Sequence, residues 1–461
     1  MSDDELHFAS LVSLAERVRT REVSSLEIVE ACLRRIDAVN PRLNAVVRLA
    51  GDATRAARQA DAELRDGIVR GPLHGLPFTI KDSLDTAGLV TTAGTMGWRE
   101  RVPSRDATVV ARLRAAGAIL LGKTNTPEFT WSDATDNDVY GRTNNPYDLT
   151  RTPGGSSGGA AAIVAAGGSP LDIGSDSGDS IRHPAHVCGV AGIKPTQGRV
   201  PRTGHTPSYR GIVGSWTQLG PIARAVDDLA LVLPIIAGPD GEDPHVAPVA
   251  LREPRDVSIP GLSVVFFTDN SVHTPTPETI ETVRAAARVL ADAGARVDER
   301  LPPGLAEAAE LWTRIVRADG FAWLRRLLQE AGTEGEGTYS SWLPDEKPVP
   351  AAELTAMLDR VDDVRAGLLR FMRDVDLIVC PVMPQPAVPH AGTRSDLDVT
   401  DTYSETHNIT GWPAVVVRAG TSPEGLPIGV QLVAQPWRED VALAAAKSIE
   451  TALGGWQRPP I

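Results

Sequence analysis

Residues 154–184 read GGSSGGAAAIVAAGGSPLDIGSDSGDSIRHP, and they say more about this chain than any other stretch. Glycines and serines gather here in a segment that suits neither a regular helix nor a regular strand. Glycine permits tight turns and close backbone approach, and such turns direct N–H groups at an anion. The anion is either the oxyanion of a reaction intermediate or a bound phosphate. The stretch therefore predicts a serine-based active site or a phosphate loop.

Three of the motifs that this stretch suggests fail on their spacing. The glycine run 154–159 lacks the Lys-Ser/Thr pair that follows a phosphate loop. In residues 174–178, GSDSG, Asp176 stands where a nucleophile elbow needs its serine. A Gly-Asp-Ser esterase block at 178–180 needs a later Asp-x-x-His, and no histidine after it has that spacing. A merely tight glycine turn explains the glycines but not the cluster of hydroxyls.

A serine nucleophile activated by lysine is the fourth interpretation. The apolar run 76–80 lies between Gly75 and the pair Lys81 and Asp82, which indicates a buried strand whose end projects Lys81. A lysine amine acts as a base when burial or neighbouring positive charge lowers its pKa. Lys81 is therefore the candidate base for a serine in the glycine-rich stretch.

With these residues in place, the chain resembles the amidase signature family, and its stand-alone amidases in particular. That family carries Gly-Gly-Ser-Ser-Gly-Gly, here 154–159, followed by Asp-x-Gly-x-Ser-Ile-Arg-x-Pro-Ala, here 176–185. The resemblance extends over most of the chain, which makes it far more specific than either motif alone. Further matching segments are 75–82, 91–94, 122–128, 188–196 and 426–432.

The resemblance implies a role for each matching residue. Ser180 corresponds to the nucleophile that forms an acyl-enzyme, and Ser156 to a bridging serine that follows a cis peptide bond. Lys81 corresponds to the base that takes a proton from Ser156. The oxyanion hole corresponds to the backbone N–H groups of Ser177, Gly178, Asp179 and Ser180, and the loop is braced by Ser157, Asp176 and Arg182.

Asp179 departs from the family, which usually has glycine at this position. If the loop needs a positive φ there, an aspartate adds strain. A carboxylate beside a developing oxyanion is repulsive unless it points away or pairs with a cation. Two hypotheses follow: Asp179 points away and braces the loop, or it recognises a polar or cationic group of the substrate.

The composition narrows the classes of partner. A net charge of −13 and a pI near 5.2, without a basic run, exclude a typical nucleic-acid binder and favour a small-molecule or neutral partner. That this partner is a small-molecule amide substrate is what the resemblance implies. Cys32, Cys188 and Cys380 are too scattered for a disulfide framework or a zinc cluster. His183 and His186 flank Pro184 and lack a third ligand, so we expect no metal and no organic cofactor.

The N-terminus is acidic and has no apolar signal region, and no apolar window reaches the length of a membrane span. We therefore expect a cytoplasmic protein without membrane association. A homodimer is compatible with the sequence. The activity that the resemblance implies is hydrolysis of a carboxylic amide or a related acyl–nitrogen bond, such as a hydrazide. The alternatives are a glutaminase-like subunit of a tRNA-dependent amidotransferase and a catalytically impaired binding protein.

Alternating helical and strand-like segments predict an α/β fold, a single α/β/α domain with a central mixed sheet covered by helices. The domain spans 1–461, with a helical part at about 1–70, catalytic motifs at 71–200 and a variable substrate pocket at about 300–375. Predicted strands are 76–80, 118–121, 263–268, 377–382, 414–418 and 428–434. Predicted helices include one from the capping box at Ser24 to Pro41, one capped by Asp106, and 53–65, 277–293, 305–330, 353–374 and 439–453.

Overall fold

An eleven-stranded sheet forms the centre of the protein in the computed structural model, which describes residues 2–208, 210–334, 343–390 and 403–461. The strands in chain order are β1 (Val46–Leu49), β2 (Pro77–Lys81), β3 (Ile119–Thr124), β4 (Leu171–Asp176), β5 (Ala191–Lys194), β6 (Gln218–Ala223), β7 (Ser263–Phe266), β8 (Arg296–Glu299), β9 (Leu377–Pro381), β10 (Ala414–Thr421) and β11 (Pro427–Ala434). Their order in space is β1-β3-β2-β4-β6-β5-β10-β11-β9-β7-β8. Parallel pairs occur toward both ends of the sheet and antiparallel pairs join them through the middle.

Helices cover this sheet. The first nine are α1 (Asp3–Phe8), α2 (Leu11–Arg19), α3 (Ser25–Leu43), α4 (Ala53–Arg65), α5 (Thr108–Ala115), α6 (Gly158–Ala165), α7 (Arg182–Val187), α8 (Gly211–Trp216) and α9 (Val226–Ile236). They are followed by α10 (Pro277–Asp292), α11 (Leu305–Val316), α12 (Ala322–Ala331), α13 (Ala351–Phe371), α14 (Glu405–Ile409) and α15 (Glu439–Leu453). The predicted α/β/α domain with a mixed central sheet is confirmed. None of the helices in the described ranges has the length and apolar character needed to cross a membrane.

Two parallel strands bring the predicted site residues to one edge of the sheet. β2 runs parallel to β4, with Thr79 opposite Asp172 and Ile80 opposite Ile173. Lys81 is the last residue of β2, and the loop after β4 carries Ser180. Loops at the carboxyl ends of neighbouring parallel strands lie close together, and ligands of open α/β sheets bind there.

Helix α6 lies directly against this edge because its residues are small. All eight of its residues, GGAAAIVA, are buried. A Cβ atom on Gly159 would lie 2.4 Å from the backbone nitrogen of Asn125, just beyond β3. Any larger residue at position 159 would force the helix away from the sheet, so glycine sets the position of the serines that precede α6.

The long apolar runs predicted their elements well. Each of the six predicted strands has a counterpart in the sheet, and the helices at 53–65, 277–293, 353–374 and 439–453 agree to within a few residues. The predicted helix at 305–330 is two helices, α11 and α12, because the chain breaks between them at Phe321, which has a φ of 60°.

Two predicted helix ends are wrong. Asp106 does not cap α5, whose N-cap is Ala107. Its carboxylate accepts a hydrogen bond from Ala87 N at 2.7 Å and pairs with Arg114 at 2.9 Å, and these partners replace the cap. Helix α3 continues past Pro41 to Leu43, since a proline in the last turn removes only one helical hydrogen bond.

Candidate active site

Lys81 lies at the centre of a cluster of hydroxyl groups. Its side chain is fully buried, and Nζ donates hydrogen bonds to Ser156 Oγ at 2.6 Å, Ser157 Oγ at 2.9 Å and Ser175 Oγ at 2.9 Å. Burial lowers the pKa of Lys81 to about 7, against the opposing charges of nearby aspartates, Asp176 first among them. Near neutral pH a substantial fraction of this amine is therefore uncharged and able to accept a proton.

The backbone around Ser156 joins two segments that are distant in sequence. The peptide bond between Gly155 and Ser156 is cis. Ser157 N donates a hydrogen bond to Ser180 O at 3.2 Å, and Ser157 Oγ lies 3.3 Å from the backbone N and O of Ser175. The structure thus places Lys81 in contact with Ser156 and links this segment to Ser180 through the backbone of Ser157. The catalytic roles of Lys81, Ser156 and Ser180 remain predictions.

Residues 177–180 form a short loop between β4 and α7. Ser177 Oγ hydrogen-bonds Thr217 Oγ1 at 2.7 Å, and Trp312 Nε1 donates to Ser177 O at 3.0 Å. A Cβ atom on Gly178 would lie 3.0 Å from the Trp312 ring, so the indole packs directly on the backbone. Within the described ranges, no acceptor takes a hydrogen bond from the N–H groups of residues 178–180. These donors are therefore available to an anionic oxygen.

Asp176 and Arg182 hold this loop with a buried ion pair. Both side chains are fully buried, and the guanidinium contacts the carboxylate through two hydrogen bonds of 2.9 Å. Arg182 also donates to Gly178 O at 2.6 Å. Burial alone would raise the pKa of Asp176, but Arg182 outweighs it and holds that pKa at about 2. These contacts link β4, the loop and the start of α7, and the bracing role of the two residues in catalysis remains a prediction.

The C-terminal part of the chain supplies the remaining partners of this pair. Arg182 donates to Ser404 O at 2.8 Å and to Gln431 Oε1 at 3.1 Å. Asn408 Nδ2 donates to Asp176 Oδ1 at 2.9 Å. Gln431 lies in the matching segment 426–432, whereas Ser404 and Asn408 lie outside the matching segments. No pattern in the sequence indicated that these residues contact a loop more than two hundred positions away.

Replacing Arg182 by methionine is expected to destabilise the fold strongly. It leaves Asp176 as an uncompensated buried charge, and breaking one side of a buried ion pair costs about 3–5 kcal/mol in the free energy of unfolding. Arg34→Met removes the exposed pair with Asp3, so a loss of at most about 1 kcal/mol is expected there. Equilibrium urea unfolding measures both losses. Equal losses in the two variants would contradict the bracing role of Arg182.

One of the two hypotheses required the Asp179 side chain to point away from the site, and it does not. Its carboxylate is buried, and Oδ1 accepts a hydrogen bond from Ser180 Oγ at 3.2 Å. Burial, together with the charge of Asp176, raises the pKa of Asp179. The residue is not among the described positions with positive φ, so the strain considered for this position does not arise. Asp179 contacts the predicted nucleophile itself.

The two histidines of α7, His183 and His186, face different surroundings. His186 Nδ1 accepts a hydrogen bond from Gly429 N at 2.8 Å, and its Nε2 lies 3.1 Å from Gln385 O. His183 Nδ1 lies 3.2 Å from Asp179 Oδ2. The exposed carboxylate of Asp133 completes a group with Asp179 and His183 whose ligand atoms lie within 4.8 Å of one another. Asp133 comes from a separate loop and belongs to none of the matching segments.

Three tryptophans form an aromatic wall beside the loop. The Trp131 and Trp312 rings are stacked with centroids 6.0 Å apart, and Trp323 meets Trp131 edge to face at 5.0 Å. Because Trp312 also packs on Gly178, this wall borders the predicted oxyanion hole. Ser175 is a further contact of Lys81 that sequence reasoning missed, although it lies within the GSDSG segment already considered for another motif.

Comparison with known proteins agrees with this geometry. The model of the family described as Amidase matches residues 27–443. The chain belongs to the amidase family. This amidase is 36% identical over 474 residues to an acylamidase of Rhodococcus erythropolis, covering 98% of the chain and 96% of that relative. It is also 36% identical over 487 residues to a Glutamyl-tRNA(Gln) amidotransferase subunit of Chloroflexus aurantiacus, covering 99% of both.

Among solved structures, the amidase is similar to a 6-aminohexanoate cyclic dimer hydrolase in complex with its substrate. The TM-score is 0.87 at 30% identity, over 98% of this chain and 99% of the other. The amidase is therefore a hydrolase that acts on carbon–nitrogen bonds. The resemblance inferred from its motifs is confirmed at the level of the family.

Proposed function

We propose that this amidase cleaves a carboxylic amide, or a related acyl–nitrogen bond such as a hydrazide, through an acyl-Ser180 intermediate. The observation that carries the proposal is the 2.6 Å contact between Lys81 Nζ and Ser156 Oγ, made by a buried amine whose pKa is about 7. A lysine in this state can serve as a general base for a serine relay.

In the acylation step, neutral Lys81 takes the proton of Ser156 Oγ, and Ser156 takes the proton of Ser180 Oγ. Ser180 Oγ forms a bond to the carbonyl carbon as the carbonyl π electrons move to oxygen. The N–H groups predicted for the oxyanion hole, those of residues 177–180, stabilise that oxyanion, and a missing donor of this kind costs about 10²–10³ in rate. The carbon–nitrogen bond then breaks, and the proton held by Lys81 returns through Ser156 to the leaving amine.

Deacylation uses the same groups in the reverse direction. Water replaces the amine, gives its proton to Ser156 and attacks the acyl carbon, while Ser156 passes a proton to Lys81. The bond to Ser180 Oγ breaks, the carboxylic acid leaves, and Ser180 regains a proton. The hydroxyl of Ser180 must turn from Asp179 toward Ser156 for the relay, which is a rotation about one side-chain bond.

The rate should rise with pH through about 7. Below that pH, Lys81 is an ammonium ion that cannot accept a proton, so kcat/KM is expected to fall about tenfold for each further pH unit. A profile of kcat/KM between pH 5 and 9 measures this fall in rate at acidic pH. Asp179→Asn is the control. If the fall is caused by protonation of Lys81, it remains when the Asp179 carboxyl is gone. A profile flat across pH 7 would contradict Lys81 as base.

We infer that the substrate pocket lies over the aromatic wall of Trp131, Trp312 and Trp323. The region predicted for it, about 300–375, contains α11, α12 and α13, although its residues 335–342 lie outside the described ones. We also propose that residues 1–461 form one domain. Its helical part spans about 1–70, and its catalytic motifs span 71–200. The homodimer and the cytoplasmic location remain predictions from the sequence.

A panel of aryl, alkyl and peptide amides and hydrazides tests the proposed function, with Ser180→Ala as the blank. Release of amine from at least one substrate by the native enzyme, and not by the variant, is the expected result. If no amide is cleaved and a serine-directed fluorophosphonate leaves the protein unlabelled, the catalytically impaired binding protein becomes the better account.

A glutaminase-like amidotransferase subunit is the second candidate, because of the similarity to the Chloroflexus aurantiacus protein. Ammonia release from glutamine, measured with and without partner amidotransferase subunits, separates the two. Hydrolysis of simple amides without any partner favours the stand-alone amidase. Ammonia release from glutamine that appears only with the partner favours the amidotransferase component.

A further inference from the structure

Asp133, Asp179 and His183 form an acid and imidazole group beside the proposed nucleophile, and the mechanism above does not use it. Their ligand atoms lie within 4.8 Å of one another. Asp179 and His183 are 4% and 5% exposed, whereas Asp133 is exposed. Carboxylate oxygen and imidazole nitrogen together are a ligand set that suits zinc.

We propose that Asp133, Asp179 and His183 bind one divalent transition-metal ion, for which Zn²⁺ is the probe, and that the bound ion inhibits the enzyme. The binding half of this proposal stands on the geometry of the three side chains alone. The inhibition half rests on the proposed function, since it assigns Ser180 as the nucleophile.

The spacing of the two buried ligands fits a shared ion. Asp179 Oδ2 lies 3.2 Å from His183 Nδ1, and this oxygen accepts no hydrogen bond from the described residues. Two ligand atoms at that separation, each about 2.0–2.2 Å from a zinc ion, subtend about 100° at the metal. That angle is close to the tetrahedral value. The pair is therefore already placed as two ligands of one ion.

The backbone positions these two ligands before any ion binds. His183 N donates to Asp179 O at 2.8 Å, which sets the two side chains one helical turn apart at the start of α7. The neighbouring Arg182 is fully buried and fixes the same turn through its ion pair with Asp176. Ligands held in this way lose little conformational freedom on binding, which favours affinity.

The third ligand comes from a loop that is anchored to the active site. Thr135 Oγ1 donates to Gly154 O at 2.8 Å. A Cβ atom on Gly155 would lie 2.6 Å from the carbonyl carbon of Asp133, so the two backbones are in direct contact. The Asp133 side chain is exposed, and one of its carboxylate oxygens lies within 4.8 Å of the ligand atoms of the buried pair.

An ion in this position interferes with the proposed chemistry. Asp179 Oδ1 is 3.2 Å from Ser180 Oγ, so an ion held by Oδ2 of the same carboxylate lies beside the nucleophile. There it stands beside the oxygen that has to bond to the acyl carbon of a substrate. It also fixes the carboxylate that Ser180 Oγ must leave to join the relay. Inhibition should therefore be reversed when a chelator removes the ion.

Isothermal titration calorimetry of the full-length protein with Zn²⁺ tests the binding half. One ion per chain is expected, and Asp133→Asn should weaken binding at least about tenfold, as loss of one ligand predicts. Asp138→Asn is the matched control, since Asp138 is an exposed aspartate of the same segment outside the group. Its affinity should equal that of the native protein. Circular dichroism verifies that both variants fold.

The proposal is overturned if the native protein binds no Zn²⁺, or if Asp133→Asn and Asp138→Asn bind it with equal affinity. The inhibition half is tested by measuring the rate of amide hydrolysis with and without Zn²⁺. Each rate with Zn²⁺ is divided by the rate of the same protein without Zn²⁺. Zn²⁺ should inhibit the native enzyme and Asp138→Asn far more than Asp133→Asn, and a chelator should restore the rate. If no amide is hydrolysed at all, the proposed function fails while the calorimetry still decides the metal site.

Discussion

Replacing Ser180 by alanine is expected to lower kcat for amide hydrolysis by about 10⁴-fold or more, because the variant cannot form the acyl-enzyme. Removal of the nucleophile from a comparable serine-based unit costs about 10⁶ in kcat, and binding and oxyanion contacts account for the residual rate. Initial rates on the best substrate of the amide panel measure the loss. The variant should also fail to react with a fluorophosphonate.

Ser177→Ala is the matched control for this experiment. Ser177 stands in the same loop, but only its main chain borders the reacting atoms, and its hydroxyl bonds Thr217 at 2.7 Å. Its loss should cost far less than that of Ser180. If Ser180→Ala kept the native rate while Ser177→Ala lost it, the nucleophile would be misassigned.

Replacing Lys81 by methionine should reduce kcat by about as much as Ser180→Ala. Groups that act as one catalytic unit are strongly non-additive, so knocking out one of them costs nearly as much as knocking out all, about 10⁶ in a comparable serine enzyme. The double variant Lys81→Met/Ser156→Ala should therefore be no slower than Lys81→Met alone. Single-turnover rates on an activated ester and on an amide measure both effects.

Because Lys81 is buried, its loss could also disturb the fold. Methionine keeps most of the volume of the side chain, and near-ultraviolet circular dichroism reports whether the packing survives. A folded Lys81→Met variant with native kcat would rule out the lysine relay. Multiplicative losses in the double variant would show that Lys81 and Ser156 act independently.

The site residues were predictable because their identities repeat a family motif, and the strand that carries Lys81 has a strong local signal. The run 76–80 is apolar and ends in a charge, and the lysine lies at the end of β2 as expected. The contacts of the Lys81 side chain were harder to predict from the sequence. Ser175 bonds the amine only because β4 is parallel to β2, and the sequence LDIGSD of β4 shows none of the apolar regularity that indicates a strand.

Asp179 shows the limit of reasoning from a motif. Its departure from glycine was visible in the sequence, but the direction of its side chain depends on His183 and Ser180 in three dimensions. Asp133 belongs to no matching segment, and its proximity to Asp179 and His183 is set by the tertiary packing of separate loops. Likewise, the break between α11 and α12 interrupts a stretch predicted as one helix, and two consecutive residues with positive φ, Gly320 and Phe321, lie there.

The bonds of Arg182 have a consequence for the synthesis of this protein. The arginine and Ser180 are made early, yet the arginine's partners Ser404 and Gln431, and the Asn408 amide that holds Asp176, belong to the last part of the chain. A nascent polypeptide that still lacks that part has its nucleophile but not the support of the surrounding loop. Chains truncated before Ser404 should therefore lack amide hydrolase activity, because they cannot form these contacts.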